Sequence, residues 1–362
     1  MRCNRLHVNG LPATSRRGIL REWWHKVRGQ TVAAERKGGV TISQVAKEAG
    51  VARSSVSRAY TRPDMLSPET VERIKAAASR LGYVPNHTAR ALSTGRYGNV
   101  ALIVPDVANP FFPPMIRAAQ VEADRSDFCV FLGNSDEDPQ KEDQLLGRFS
   151  GQVEGIILAS PRLSDERIAA HALLRPLVLI NRDVKGIPKV LIDSGTGIAE
   201  ATQHLADFGH RNIVYVSGPS TSWSNKQRRA AVRRASRKLG LELSFVSASV
   251  PSFEAGLQAV DAILAKGATA AIAFDDLTAQ GILAGLGKRG VSVPGEFSVV
   301  GCDDALGPLT VPSLTTVSSR SIEAGKLAVS LLLEVLESRA VRDASYVLET
   351  HLIVRSTTGK AP

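Results

Sequence analysis

What this 362-residue sequence has little of narrows it first. Cysteine occurs three times, as Cys3, Cys129 and Cys302, an odd number without metal-ligand spacing. That excludes a disulfide scaffold and a cysteine-based zinc site, and leaves buried or idle thiols in a reducing compartment. No run of 18 apolar residues occurs, so no transmembrane helix is expected. The basic N-terminus lacks the apolar segment of a secretory signal, which argues for the cytosol. Marks of common catalysts are missing as well. The stretch Gly281-Ile-Leu-Ala-Gly285-Leu-Gly287 has neither the lysine of a phosphate-binding loop nor the glycine order of a dinucleotide site. Gly285 and Gly287 are expected to permit helix packing instead. There is no Gly-x-Ser-x-Gly elbow. Asp275-Asp276 and Asp303-Asp304 are better explained as hydrogen-bond acceptors for a ligand than as a glycosidase pair. No catalytic residue, metal ligand or cofactor is assigned, and an enzyme is not expected.

The composition that remains, 43% hydrophobic and 22% charged, is that of an ordinary soluble protein. A chain this long exceeds the size at which single cores stop growing, so two or more domains are expected. The net charge of +10 is unevenly placed. Residues 1–98 hold 18 Lys/Arg against 6 Asp/Glu, and the remainder 27 against 29. A basic N-terminal module on a near-neutral body suggests that one end meets a polyanion.

Residues 41–60 contain two short helical patterns joined at Gly50. In the first, Ile42, Val45, Ala46 and Ala49 make one apolar face, and Thr41 with Gln44 fits a capping box. In the second, Val56 and Ala59 face inward while Arg53, Ser54, Ser55, Ser57 and Arg58 face out. Two short helices meeting at a glycine turn are the helix-turn-helix arrangement, whose second helix enters the major groove of DNA. A third helix begins at Ser67-Pro68, with Ser67 as N-cap and Pro68 at the first helical position, and ends at Gly82.

With Leu81-Gly82-Tyr83, Pro85-Asn86, Ala89 and Leu92 added, these segments resemble the lac repressor/gal repressor (LacI/GalR) family of bacterial transcription regulators, and the resemblance continues at intervals to about residue 357. It implies a DNA-reading module at 40–83 and a hinge at 84–98. The implied DNA contacts are Thr41, Ser43, Arg53, Ser54, Ser57 and Arg58 in the module and Asn86, Ala89 and Leu92 in the hinge. Leu92 matches a leucine that wedges between base pairs, and such wedges kink a duplex. Arg53 and Ser54 occupy the positions that vary with operator sequence. Ala52 stands where the family usually has a capping serine.

From residue 99 onward strand-like runs (100–105, 129–133, 155–159, 177–180, 190–192, 213–217, 245–248, 270–274, 298–301) alternate with helical patterns (112–125, 141–149, 197–208, 227–239, 254–266, 277–289, 322–338). That alternation implies parallel sheets in an α/β fold, with too many units for one sheet. The resemblance implies a two-lobed body like that of periplasmic binding proteins at 99–358: one lobe at about 99–196 plus 318–345, the other at 197–317. Ligands of open α/β sheets bind beyond the carboxyl ends of strands. There the resemblance assigns Asn109, Phe111, Phe112, Asn181, Trp223, Ser224, Arg228, Asp276 and Asp303 to a pocket for a small polar effector such as a sugar. Asp275 replaces the usual asparagine and Cys302 the usual aromatic, and His210 is expected to cap a helix end rather than to bind metal.

Residues 1–39 lie outside the resemblance, and three readings stand side by side: a disordered arm, a partner-binding helix, or an extension created by a start site placed too early. The expected assembly is a cytoplasmic homodimer on palindromic, double-stranded operator DNA, since two-fold protein symmetry maps onto half-sites. The C-terminal heptad helix of the family's tetramers is not seen.

Overall fold

A computed structural model describes residues 40–84, 97–248, 250–338 and 343–362. The N-terminal extension and the hinge positions Asn86, Ala89 and Leu92 lie outside the described residues. The chain divides into two compact units, with the boundary between Ser93 and Thr94.

The first unit holds helices α1 (Ile42–Ala49), α2 (Arg53–Thr61) and α3 (Pro68–Leu81). The Gln44 side chain accepts the Thr41 N–H at 2.7 Å and closes the capping box. Gly50 ends α1 at φ +65°, a left-handed turn that glycine adopts without a Cβ penalty. The Ser67 hydroxyl accepts from the Thr70 N–H at 3.3 Å, so α3 starts where the sequence places it. The core is small: Val45, Ala46, Ala49, Val56, Ala59, Ile74, Ala77 and Ala78. Five alanines let three short helices approach closely, which leaves the polar face of α2 to solvent.

The second unit contains two six-stranded sheets. Sheet one uses β1 (Asn99–Val104), β2 (Cys129–Asn134), β3 (Gly155–Ala159), β4 (Leu177–Ile180), β5 (Lys189–Asp193) and β11 (Ser345–Glu349), all parallel, in the order β2-β1-β3-β4-β5-β11. Sheet two uses β6 (Asn212–Ser217), β7 (Glu242–Ser247), β8 (Ala270–Ala273), β9 (Ser298–Cys302), β10 (Thr315–Val317) and β12 (Leu352–Ile353), in the order β7-β6-β8-β9-β10-β12. Only β12 runs antiparallel to its neighbour. Helices α4 (Phe112–Asp124), α5 (Pro139–Ser150), α6 (Asp165–Leu174) and α11 (Ser321–Ser338) belong to the first lobe. Helices α7 (Gly195–Asp207), α8 (Trp223–Leu239), α9 (Phe253–Leu264) and α10 (Asp276–Lys288) belong to the second. The mixed α/β class expected from the sequence is the observed one.

Central strands are buried on both faces, which is why β1, β3 and β4 read as unbroken apolar runs. One core layer lies under α4 and α11, around Met115, Leu102 and Leu332. Glycines set the closest approach in the second lobe. A Cβ on Gly256 would strike the Thr278 carbonyl, and one on Gly281 the Phe253 carbonyl, so α9 and α10 touch backbone to backbone. Gly285 is also packed, but Gly287 faces open space and serves no packing role.

The chain crosses between the lobes three times, at residues 193–195, 317–321 and 349–352. The crossings are bonded to one another. The Thr350 hydroxyl donates to the Asp193 carbonyl at 3.0 Å, and the His351 N–H to the Ser318 hydroxyl at 3.0 Å. Gly197 packs where any side chain would meet Val317 and Thr350. Two differences from the sequence reading bear on the crossings and the cleft. The return to lobe one runs through β11 to Glu349, past residue 345, and the chain then re-enters sheet two as β12. Helix α8 starts at Trp223 rather than 227, because Ser222 caps it through the Asn225 N–H at 3.2 Å.

Candidate functional site

On the first unit, the exposed residues of α2 are Arg53, Ser54 and Arg58, with Ser57 half-buried beside them; Thr41 and Ser43 are exposed at the start of α1. Arg53 and Ser54 open α2, where side chains and free N–H groups point outward together. Ala52 precedes them in extended geometry (φ −71°, ψ 151°) without a side-chain cap. Ala52→Ser should therefore stabilise this unit by about 1 kcal/mol, seen as a higher melting temperature. An unchanged midpoint would mean that the free amides of α2 are already satisfied.

In the second unit, the carboxyl ends of both sheets meet around one small cavity. From lobe one it is lined by Asn109, Phe111 and Phe112 after β1, Glu137 after β2, Ser160 and Arg162 after β3, and Asn181 after β4. From lobe two come Ser222, Ser224 and Arg228 after β6, Pro251 after β7, Phe274 and Asp275 after β8, and Asp303 after β9. Four lining residues, Glu137, Ser160, Asn181 and Asp303, have φ of +60°, +47°, +54° and +113°. Such backbone strain outside glycine gathers where geometry serves function.

Arg228 is the centre of the lobe-two wall. It is 5% exposed, and its Nε donates to Ser194 Oγ at 3.1 Å. One terminal nitrogen donates to the Phe274 carbonyl and the other to Asp303 Oδ1 at 2.9 Å. The guanidinium also lies 5.0 Å from the centre of the Phe274 ring. Across the cleft, Asn109 Nδ2 donates to Asp275 Oδ2 at 2.9 Å, a direct bond between the lobes. The other Asp275 oxygen accepts from the Thr278 N–H at 2.8 Å and caps α10. With that latch closed the cavity measures about 30 Å³, room for roughly one water.

The structure thus brings together Asn109, Phe111, Phe112, Asn181, Ser224, Arg228 and Asp303. It does not bring in Trp223, which is half-buried at the start of α8, or Asp276. Asp276 instead accepts from Thr316 Oγ1 at 2.5 Å and from the Leu306 N–H at 3.0 Å, bracing the loop after β9. Its neighbour Asp275 is the carboxylate that faces the cleft. Sequence reasoning missed Glu137 and Arg162, which pair through both carboxylate oxygens. Each lies three residues past the end of its strand, a spacing that was available as a signal. Cys302 is buried in the core with Tyr215 and Val300 and does not line the cavity. His210 caps α7 only through its backbone N–H, to the Leu205 carbonyl at 3.1 Å. Its ring joins Thr269, Ser298 and the Gly359 carbonyl, tying down the C-terminal segment. No group of three or more His, Cys, Asp or Glu side chains suited to a metal occurs among the described residues.

Burial pushes the Asp303 carboxyl up to about 8 against the pull of Arg228, and Asp275 and Asp276 push the same way. Burial likewise raises Asp276 to about 6. A folded pKa above the unfolded value means that stability is lost as pH rises through that interval. His204 and His210 are lowered by burial, so they cost stability only as pH falls below their unfolded value. Between about pH 8 and pH 7 the Asp303 carboxyl supplies the largest part of the slope. The melting temperature should rise as pH falls across that window, and Asp303→Asn should flatten the slope. A slope that survives in the variant would assign it to another group.

Residues 41–86 match the family described as bacterial regulatory proteins, lacI family, and residues 202–358 match the periplasmic binding protein-like domain. The HTH-type transcriptional repressor CytR of Escherichia coli (strain K12) is 29% identical over 339 residues, spanning 91% of this chain and 99% of the relative. Catabolite control protein A of Priestia megaterium is 31% identical over 324 residues, spanning 87% and 97%. Among solved structures, the lac repressor dimer bound to operator and the anti-inducer ONPF superposes with a TM-score of 0.80 at 25% identity, covering 88% of this chain and 99% of that one. These relatives are named for regulation, not for catalysis.

Proposed function

The chain belongs to the lacI family of bacterial regulatory proteins, and from that premise we propose that it represses transcription as a cytoplasmic homodimer on a palindromic operator, under the control of a sugar-like effector in the cleft between its lobes. The observation that carries the effector half is the cleft itself. Aromatic rings, two arginines, amides and carboxylates from the strand ends of both lobes converge on one space. Paired donors and acceptors beside apolar rings suit a polyhydroxylated ligand. A sugar does not fit the closed cavity, so it is admitted when the Asn109–Asp275 bond breaks and the lobes part. Its contacts then set a new angle between the lobes. To move an operator from mostly occupied to mostly free, the effector must favour one state by on the order of 5 kcal/mol.

On DNA, Arg53 at the start of α2 is the proposed base reader, since its fork pairs with both acceptors of guanine. Leu92 is the proposed minor-groove wedge. The test is capture of fragmented genomic DNA by the purified chain, sequenced and repeated with Leu92→Ala. A short enriched palindrome that fades in the variant supports the reading. Salt-sensitive binding without any enriched sequence would reduce the basic end to non-specific attachment and sink it.

A further inference from the structure

The cleft does not end at the small cavity. Beyond Glu137 and Arg162, which line both spaces, lies a second chamber of about 670 Å³. Its lobe-two wall is the loop at residues 217–221 and the first turns of α8. Three cations line it, Arg162, Lys226 and Arg229, against a single carboxylate, Glu137. That carboxylate is already engaged, because both its oxygens accept from Arg162. Arg229 and Lys226 take part in no ion pair among the described residues, whereas Arg228, the residue before Arg229, is paired with Asp303.

Arg229 is nevertheless held in place. Its guanidinium lies 4.1 Å from the centre of the Phe245 ring, and it donates to Ser217 Oγ at 2.5 Å. Ring and hydroxyl orient the charge without neutralising it. Helix α8 itself carries seven Lys/Arg and no Asp/Glu, so no acid on its own element is available to compensate. Uncompensated cations in a walled cleft focus a positive potential, which concentrates anions there. Charge-assisted bonds from guanidinium to phosphate or carboxylate are the strong ones, and Arg geometry suits both.

We propose that this outer chamber receives an oxyanion at one end of the effector, so that the regulator responds to an acidic sugar derivative, a sugar phosphate or a sugar acid, rather than to a neutral sugar. This rests on the cleft being the effector site. Neutral parts of the ligand occupy the inner space once the latch opens, and Arg229 with Lys226 holds the charged end.

The experiment is calorimetric titration of the full chain, pre-bound to its operator and free, with inorganic phosphate, and with ribose and glucose, their terminal phosphates, and gluconate. Phosphate is expected to bind, and the phosphorylated or oxidised sugars to bind at least about tenfold more tightly than their neutral parents. Comparison of the phosphates with gluconate tells the two oxyanions apart. Arg229→Gln and Lys226→Gln should each erase most of that advantage while leaving ligand-free operator binding unchanged, which also shows that the variants fold. Inorganic phosphate that binds Arg229→Gln and Lys226→Gln as well as the unaltered chain overturns the proposal. Neutral sugars that bind as tightly as their acidic forms overturn it too, and leave the cleft reading intact. Arg229-dependent phosphate binding, with operator affinity unmoved by every compound, overturns both.

Discussion

Arg228→Met should cost the second unit about 3 kcal/mol or more of unfolding free energy, measured by urea denaturation followed by circular dichroism. The guanidinium donates to Ser194, the Phe274 carbonyl and Asp303 at once, and it is 5% exposed. Removing it leaves three buried acceptors short of a donor, and truncating one partner of a buried charged pair typically costs about 3 to 5 kcal/mol. The low end applies here because the Asp303 carboxyl, already pushed up to about 8, takes up a proton when its partner goes. The double variant with Asp303→Asn should recover part of the loss, since asparagine has nearly the shape of aspartate and is neutral. A single-variant loss below about 1 kcal/mol would mean that Arg228 is held for ligand contact alone and adds nothing to the resting structure.

Gly281→Ala should be nearly as damaging for a different reason. The added methyl meets the backbone carbonyl of Phe253, and backbone cannot rotate aside as a side chain would. Overpacking of this kind typically costs about 1 to 3 kcal/mol, and a backbone-to-backbone contact belongs at the upper end. Gly287→Ala, two turns along the same helix, meets nothing within 4 Å. It should stabilise by up to about 1 kcal/mol through helix propensity. The pair separates packing from propensity in one melting experiment. If both variants shift stability the same way, α9 and α10 do not touch as described.

Much of this was legible in the sequence, for reasons visible in particular residues. Two of the three helices of the first unit, α1 and α3, carry their own start and stop signals: Thr41 with Gln44, Ser67 with Pro68, and glycines at 50 and 82. Elements without a clear apolar period were missed. Helix α6 buries only Ile168 and leaves Leu173 and Leu174 exposed, so its apolar residues trace no clean face. Strands β10 and β12 are three and two residues long, too short for any period to register. Strand β11 is an edge strand with four of five residues exposed, and its pattern carries no burial signal. In the cleft, Asn181 and Asp303, each directly past a strand end, were found, while Ser160 and Phe274 at the same position of their strands were not. Asp275 and Asp276 were exchanged because neighbouring carboxylates look alike in sequence. Only the helix cap tells them apart: Asp275 stays extended and turns to the cleft, while Asp276, at the first helical position, turns beneath it toward Thr316.

The three bonded crossings between the sheets have a mechanical meaning. Two bodies joined by one strap swivel freely, but bodies joined by three laced straps, with Gly197 wedged among them, swing like a door on a piano hinge. Such a joint has one direction of easy travel. On the function proposed above, compounds of different shape that part the lobes would all act along that one direction. The lining of the cleft could then change by mutation, residue by residue, to admit a new compound, while the direction of travel stays the same.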